Sequence, residues 1–159
     1  MSDYTTEELQ IIVKAPLLTG LSVALVDLGI VSTAIEAAAL SKEIAGAAQK
    51  YPGNSIIQAA LSEEALKSGK VKLEKPEIKP EDVESGTVID SAIAACNTAI
   101  QVVEGKSTAE EIAQYKQFIY DSAVAVAEAA GRGIFGSGSQ KVSDREAAAL
   151  DRLKIALAV

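Results

Sequence analysis

Apolar positions in this chain recur at helical spacing over most of its length. Over residues 88–103, Ile89, Ala92, Ile93, Cys96, Ala99, Ile100 and Val103 fall on one stripe, with Asp90, Asn97, Gln101 and Glu104 on the other side. Residues 108–130 repeat the pattern, setting Ile112, Tyr115, Ile119, Ala123 and Val126 against Glu110, Gln114, Gln117, Asp121 and Glu128. Residues 17–40 differ, being apolar nearly all round, which predicts a long helix at the centre of the fold or in an oligomer interface. Within it Gly20, Asp27, Ala34 and Ser41 recur every seven residues, a narrow stripe that lets a neighbouring helix come close.

Start and stop signals divide the pattern into elements. Thr5 and Glu8 are spaced as a capping box, so a helix begins near Thr6. Pro16 either kinks that helix or opens a second one from its first turn. From Leu17 no strong breaker occurs before Tyr51-Pro52-Gly53-Asn54, a turn, after which Asn54 or Ser55 caps a short helix to about Lys67. Residues 68–81, SGKVKLEKPEIKPE, read as an extended crossover linker, with Val71 and Leu73 alternating with lysines. A helix then runs from about Asp82 or Thr87 to Glu104, where Gly105 stops it, and Ser107 with Glu110 forms a second capping box, opening a helix to about Ala130. Residues 131–142 form a glycine-rich loop, and Ser143 with Glu146 opens the last helix. The expected fold is all-α: a single-domain bundle (1–159) of five or six helices around the long apolar one.

Composition narrows the chemistry. The 159 residues are 48% hydrophobic, enough for a sizeable core, but only 4% aromatic, and they include no His and no Trp. Without His there is no Ser-His-Asp or Cys-His nucleophile pair and no imidazole metal ligand. The net charge of −7 repels phosphate backbones, so nucleic acid is not an expected partner. Cys96 is the single cysteine, which rules out an internal disulfide, and it lies on the apolar stripe, where packing is the better reading. The polar start, MSDYTTEELQ, lacks the basic and apolar regions of a signal peptide, so the protein is expected to be cytoplasmic. Residues 17–40 are long enough to span a bilayer, but Asp27 near the middle costs about 2.5–3.5 kcal/mol there. A buried helix is the expectation, and no membrane partner.

Candidate chemistry is sparse. Asp27 sits among Val23, Ala24, Ile30, Val31 and Ala34 on a helix with no polar side, so it must be hydrogen-bonded, ion-paired or protonated. It is either a structural hydrogen-bonding group or a ligand or ion contact. Gly131, Gly133 and Gly136 match G-x-G-x-x-G, but a helix precedes them where a dinucleotide fingerprint needs a strand. Arg132, Lys141 and the N–H groups of the helix start at Ser143 form a candidate anion site. No catalytic set, no metal-ligating set and no cofactor motif is recognisable, and Asp90 and Asp121, in the look-alike contexts IDSAIA and YDSAVA, read as solvated carboxylates.

The C-terminal stretch, VAVAEAAG followed by VSDREAAALDRLKIAL, resembles the closing helix-loop-helix of TerB-like (tellurite-resistance B) domains, over residues 122–157. The resemblance implies a small all-helical bacterial module linked to stress responses. The aspartate-rich loop of that family is GRGIFGSGSQ here, so no metal-ligating residue carries over. Together these readings lead to a non-enzymatic helical scaffold or protein-interaction module, self-associating as a homo-oligomer or meeting a protein partner. The alternative is a small-ligand or ion-binding bacterial stress-response protein.

Overall fold

The computed structural model describes residues 3–26, 33–132 and 142–159. Eight helical segments and no strand occur among them: α1 (Thr6–Leu25), α2 (Thr33–Lys50), α3 (Ser55–Leu61), α4 (Glu63–Lys67), α5 (Pro80–Ser85), α6 (Val88–Val103), α7 (Ala109–Arg132) and α8 (Asp144–Leu157). Five of these are long, and they form an all-α bundle. Helix α1 is the hub, packing against α6, α7 and α2, while α2 also lies along α7 and α8 closes over α7 and α6. One core cluster draws on α1, α2, α3, α6, α7, α8 and Val71 of the crossover.

The long apolar run is not one helix. Helix α1 ends at Leu25, with Val26 as its C-cap, and α2 starts by Thr33 and packs back against α1. A stretch that is apolar all round has no side fixed to face water, so tertiary packing rather than local pattern decides where it turns. Of the small-residue stripe, Gly20 marks a close approach of two helices, and Ser41 is exposed. A Cβ on Gly20 would lie 2.6 Å from Cδ1 and 2.8 Å from Cδ2 of Leu40, so the Leu40 side chain of α2 fills the space that Gly20 leaves on α1.

Pro16 neither ends nor restarts the first helix. Helix α1 runs through it from a capping box in which the Thr5 hydroxyl accepts from the Glu8 N–H and the Glu8 carboxylate from the Thr5 N–H. A proline has no N–H for the carbonyl four residues before it, here that of Ile12. The buried Tyr115 hydroxyl of α7 donates to that carbonyl at 2.6 Å. The carbonyl that the proline orphans is thereby satisfied inside the core, and a 20-residue helix survives.

The faces of α6 and α7 follow the sequence pattern. Ile89, Ala92, Cys96, Ala99, Ile100 and Val103 are buried, and Ile93 is half-buried. On α7 the buried face is wider than expected and includes Phe118, Ser122 and Ala127. The Phe118 ring meets Tyr51 edge-on, centroids 6.4 Å apart. The α7 capping box is displaced by one residue: Thr108, not Ser107, caps the helix, and Glu111, not Glu110, returns the bond. Ser107 is engaged elsewhere, sharing a 2.6 Å hydrogen bond with the Tyr4 hydroxyl.

The crossover holds no strand, yet one of its residues is paired as in a sheet. The Gln10 side-chain amide accepts from the Lys72 N–H at 3.1 Å and donates to the Lys72 carbonyl at 2.8 Å. Val71 is buried beneath it and Leu73 is 47% exposed. Pro80 then opens α5 as its first residue, where a missing N–H costs nothing.

Two expectations follow. Tyr115→Phe should cost about 1–3 kcal/mol, the penalty of an unsatisfied buried carbonyl. In a Pro16→Ala background, where residue 16 supplies an N–H, the same change should cost much less. Urea denaturation of the four proteins gives the coupling, and equal costs in both backgrounds would show that the hydroxyl does not serve this carbonyl. Gly20→Ala should destabilise by about 1–3 kcal/mol through overpacking against Leu40, and a combined Leu40→Ala change should be non-additive with it.

Candidate functional site

A concavity lies at one end of the bundle, the end that carries the chain start, the α2–α3 turn and the α6–α7 turn. It is a groove of about 630 Å³ between the Tyr4 segment and helices α3 and α4. Leu9 and Ala59 supply apolar surface, and Asp3, Glu64 and Lys70 bring charge to its walls. Much of its polar lining is committed to the fold. The Ser62 hydroxyl caps α4 by accepting from the Ala65 N–H, Ser68 donates to the Ala65 carbonyl, and the Gln58 amide donates to the carbonyls of Ala48 and Tyr51.

Behind this groove two helix starts meet at one carboxylate. Glu111 accepts from the Ser55 N–H at 2.9 Å with one oxygen, and from the Thr108 N–H at 2.8 Å and the Thr108 hydroxyl at 3.0 Å with the other. Both helices thus aim their positive ends at a single negative charge. Asn54, the α3 N-cap, is fully buried and locks the pair, accepting from the Ile57 N–H and donating to the Glu111 carbonyl and the Gln114 side chain. Glu111 is held down to about 2 by its contacts with Ser55 and Thr108, whose N–H groups both donate to it.

A second clamp fastens the chain start to the same end. The Lys106 ammonium pairs with Glu8 and lies 5.4 Å from the centre of the Tyr4 ring. Its hydrogen bond to Glu8, together with the Thr5 N–H, holds the Glu8 carboxyl below its ordinary value.

The residues singled out in the sequence belong to the opposite end or lie beyond the described chain. Asp27 and Lys141 are outside the described residues, as is most of the glycine-rich loop, 133–141. Helix α7 runs on to Arg132 as its last residue. Ser143 is in place as the N-cap of α8, accepting from the Glu146 N–H, while its own N–H is taken by the Glu146 carboxylate at 3.0 Å. An anion at this helix start would therefore meet a carboxylate already seated on the Ser143 N–H.

Glu36, which sequence reasoning did not single out, is 1% exposed. The Lys50–Asp121 ion pair, 3.0 Å, sets the level of α2 against α7. Fourteen residues before Lys50, Glu36 lies about 21 Å further along, toward the end of the bundle where α7 finishes. Among the described residues no group of three or more His, Cys, Asp or Glu side chains is placed to hold a metal ion.

Cys96 and the two look-alike aspartates take structural positions. The Cys96 thiol is buried, shares a 3.2 Å hydrogen bond with the Thr19 hydroxyl, and is pushed up by desolvation, which disfavours the thiolate. Asp121 pairs with Lys50 and accepts from Gln117, and Asp90 pairs with Arg152 of α8 at the surface. Among the described residues, α1 (Thr6–Leu25) is the helix of sufficient length and apolarity to cross a membrane, and most of its apolar window is buried in the bundle.

Neither the family models, nor the curated proteins, nor the solved structures compared with this chain give a match.

The Glu111 junction has a pH signature. Its carboxyl is depressed in the fold, so its contribution is present above the unfolded value near 4.5 and is lost as pH falls through about 2. Glu111→Gln should lower stability at neutral pH by about 1 kcal/mol, the scale of a lost helix cap. The gap between the two proteins should narrow as pH drops from 5 toward 2, read by urea unfolding at each pH. A gap that does not change with pH would show that the charge contributes nothing.

Proposed function

We propose that this protein is a non-enzymatic helical interaction module of the cytoplasm that associates with copies of itself. The observation that carries the reading is on its surface. In a bundle that buries Ile12, Ile44, Ile56, Ile57, Phe118 and Ile119 almost completely, Ile155 of the last helix stands 81% exposed. A second molecule that covered this side chain would remove its apolar surface from water, which favours association. The groove beside Tyr4 adds a second place for a partner, with apolar surface between opposite charges and a lining whose hydrogen bonds already stabilise the fold. The chemistry available there is recognition rather than proton or group transfer.

A second reading, a small-ligand or ion-binding bacterial stress-response protein, draws support from Glu36. A fully buried carboxylate near the end of α7 is a costly group to place in a core, and Asp27, Arg132 and Lys141 are close to that end along the chain. The resemblance of residues 122–157 to TerB-like domains belongs with this reading.

Sedimentation velocity from micromolar to submillimolar concentration separates the two. Self-association predicts a weight-average sedimentation coefficient that rises with concentration. A constant monomer value, with a retained small molecule in native mass spectrometry, would favour the second reading instead.

A further inference from the structure

We propose that residues 70–85 form a strap that swings away while the bundle stays folded, and that the Gln10 side chain is its clasp. The strap runs between two glycines in the left-handed region, Gly69 and Gly86, both at φ 74°. A Cβ at either position would meet nothing within 4 Å, so neither glycine is there to admit a neighbour. Each gives the chain a joint that reorients at little steric cost. Between them lie the crossover and α5, which rests on α6.

The strap is lightly held. Among the described residues, the two Gln10–Lys72 bonds are the only hydrogen bonds made between Val71 and Ile78. One side chain makes both, and both lie at the surface. Two apolar side chains add to them: Val71 is buried, and Ile78 is half-buried against the core cluster. Lys70, Lys72, Glu74, Lys75, Glu77 and Lys79 are all exposed. So few contacts stand against the backbone entropy that the segment regains when it is released. Such a segment opens at a free energy below that of global unfolding.

What the strap covers gives the movement a consequence. Glu77, Ile78 and Lys79 wall a cavity of about 400 Å³ whose other sides include Leu18 of α1 and Val88 and Ala95 of α6. Leu18 is 6% exposed, yet it stands outside the core cluster that Ala15 and Leu21 of the same helix join. The strap is the movable wall of this cavity, so its release exposes Leu18 without disturbing the core. The closed strap thus gates an apolar strip between α1 and α6. This gating is independent of self-association and would operate in a monomer.

The test compares two thiols in one full-length chain. Cys96 is buried in the core and reports opening of the bundle. In a Leu18→Cys chain the added thiol should react with a bulky thiol reagent about tenfold or more faster than Cys96, and far more slowly than in the urea-unfolded chain. Adding Gln10→Ala should speed the added thiol by about fivefold, the effect of one lost surface hydrogen bond, and leave Cys96 unchanged. If the two thiols react at one rate, or if Gln10→Ala speeds both alike, the strap opens only with the bundle and the proposal is overturned. An added thiol that reacts as fast as in the unfolded chain also overturns it, because the strip would then already be open. Where Leu18→Cys unfolds the chain, hydrogen exchange of the unsubstituted protein decides. Exchange of the Lys72 N–H should respond to denaturant much less than exchange of core amides in α1 and α7, because strap opening exposes less surface. An equal response would overturn the strap.

Discussion

The hydrogen bond from the Tyr115 hydroxyl to the Ile12 carbonyl is the constraint on which the rest of this bundle depends. Helix α1 touches each of the other long helices, and it does so as one continuous element of twenty residues. Pro16 in its middle takes away one backbone donor, and an orphaned carbonyl in a dry core is expensive. A phenol buried as deeply as Tyr115 stays protonated, because desolvation pushes its ionisation far up, so it remains a donor. Tyr115 in turn has to sit at the right height. Glu111, one turn before it, sets that height by tying the start of α7 to the start of α3. A proline near the chain start and a glutamate a hundred residues later are thus parts of one arrangement.

The acidic residues show the same economy. In a chain of net charge −7, carboxylates would be expected to repel one another. Several instead link separate segments: Glu8 to Lys106, Asp121 to Lys50, Asp90 to Arg152, and Glu111 to two helix starts. The exposed pairs contribute little individually. Their effect lies in level and register, since each joins residues from helices or turns that meet only after folding. The link at Glu111 faces backbone N–H groups and a hydroxyl rather than a cation.

Local rules made much of this fold readable. The caps Thr5–Glu8 and Ser143–Glu146 and the stripe of α6 required only neighbours within one helix, and the structure has them where the sequence places them. Three features were not legible, each for a physical reason. Ser107-Thr108-Ala109-Glu110-Glu111 contains two overlapping capping frames, and the competition is settled by Tyr4, which engages Ser107. The division of the apolar run into α1 and α2 has no strong breaker to announce it, and the approach of Leu40 to Gly20 joins residues of two different helices. Pro16 reads as a break because its compensating donor is supplied by another helix. The groove beside Tyr4 was equally hidden, since Leu9, Ser55, Gln58 and Lys70 meet there from segments far apart in sequence. Of the residues the sequence did put forward, Ser143 was legible as a cap, and it serves as one.

The distance along the chain between Ile12 and its donor has a consequence during synthesis. Tyr115 follows Ile12 by 103 residues, so at ribosomal speeds the apolar face of α1 emerges about 5–20 s before the helix that satisfies it. Through that interval water serves the Ile12 carbonyl, and the leucines and valines of α1 have only α2 and α3 to close over them. The pocket of the core that α1 helps to build therefore closes only after α7 has been made.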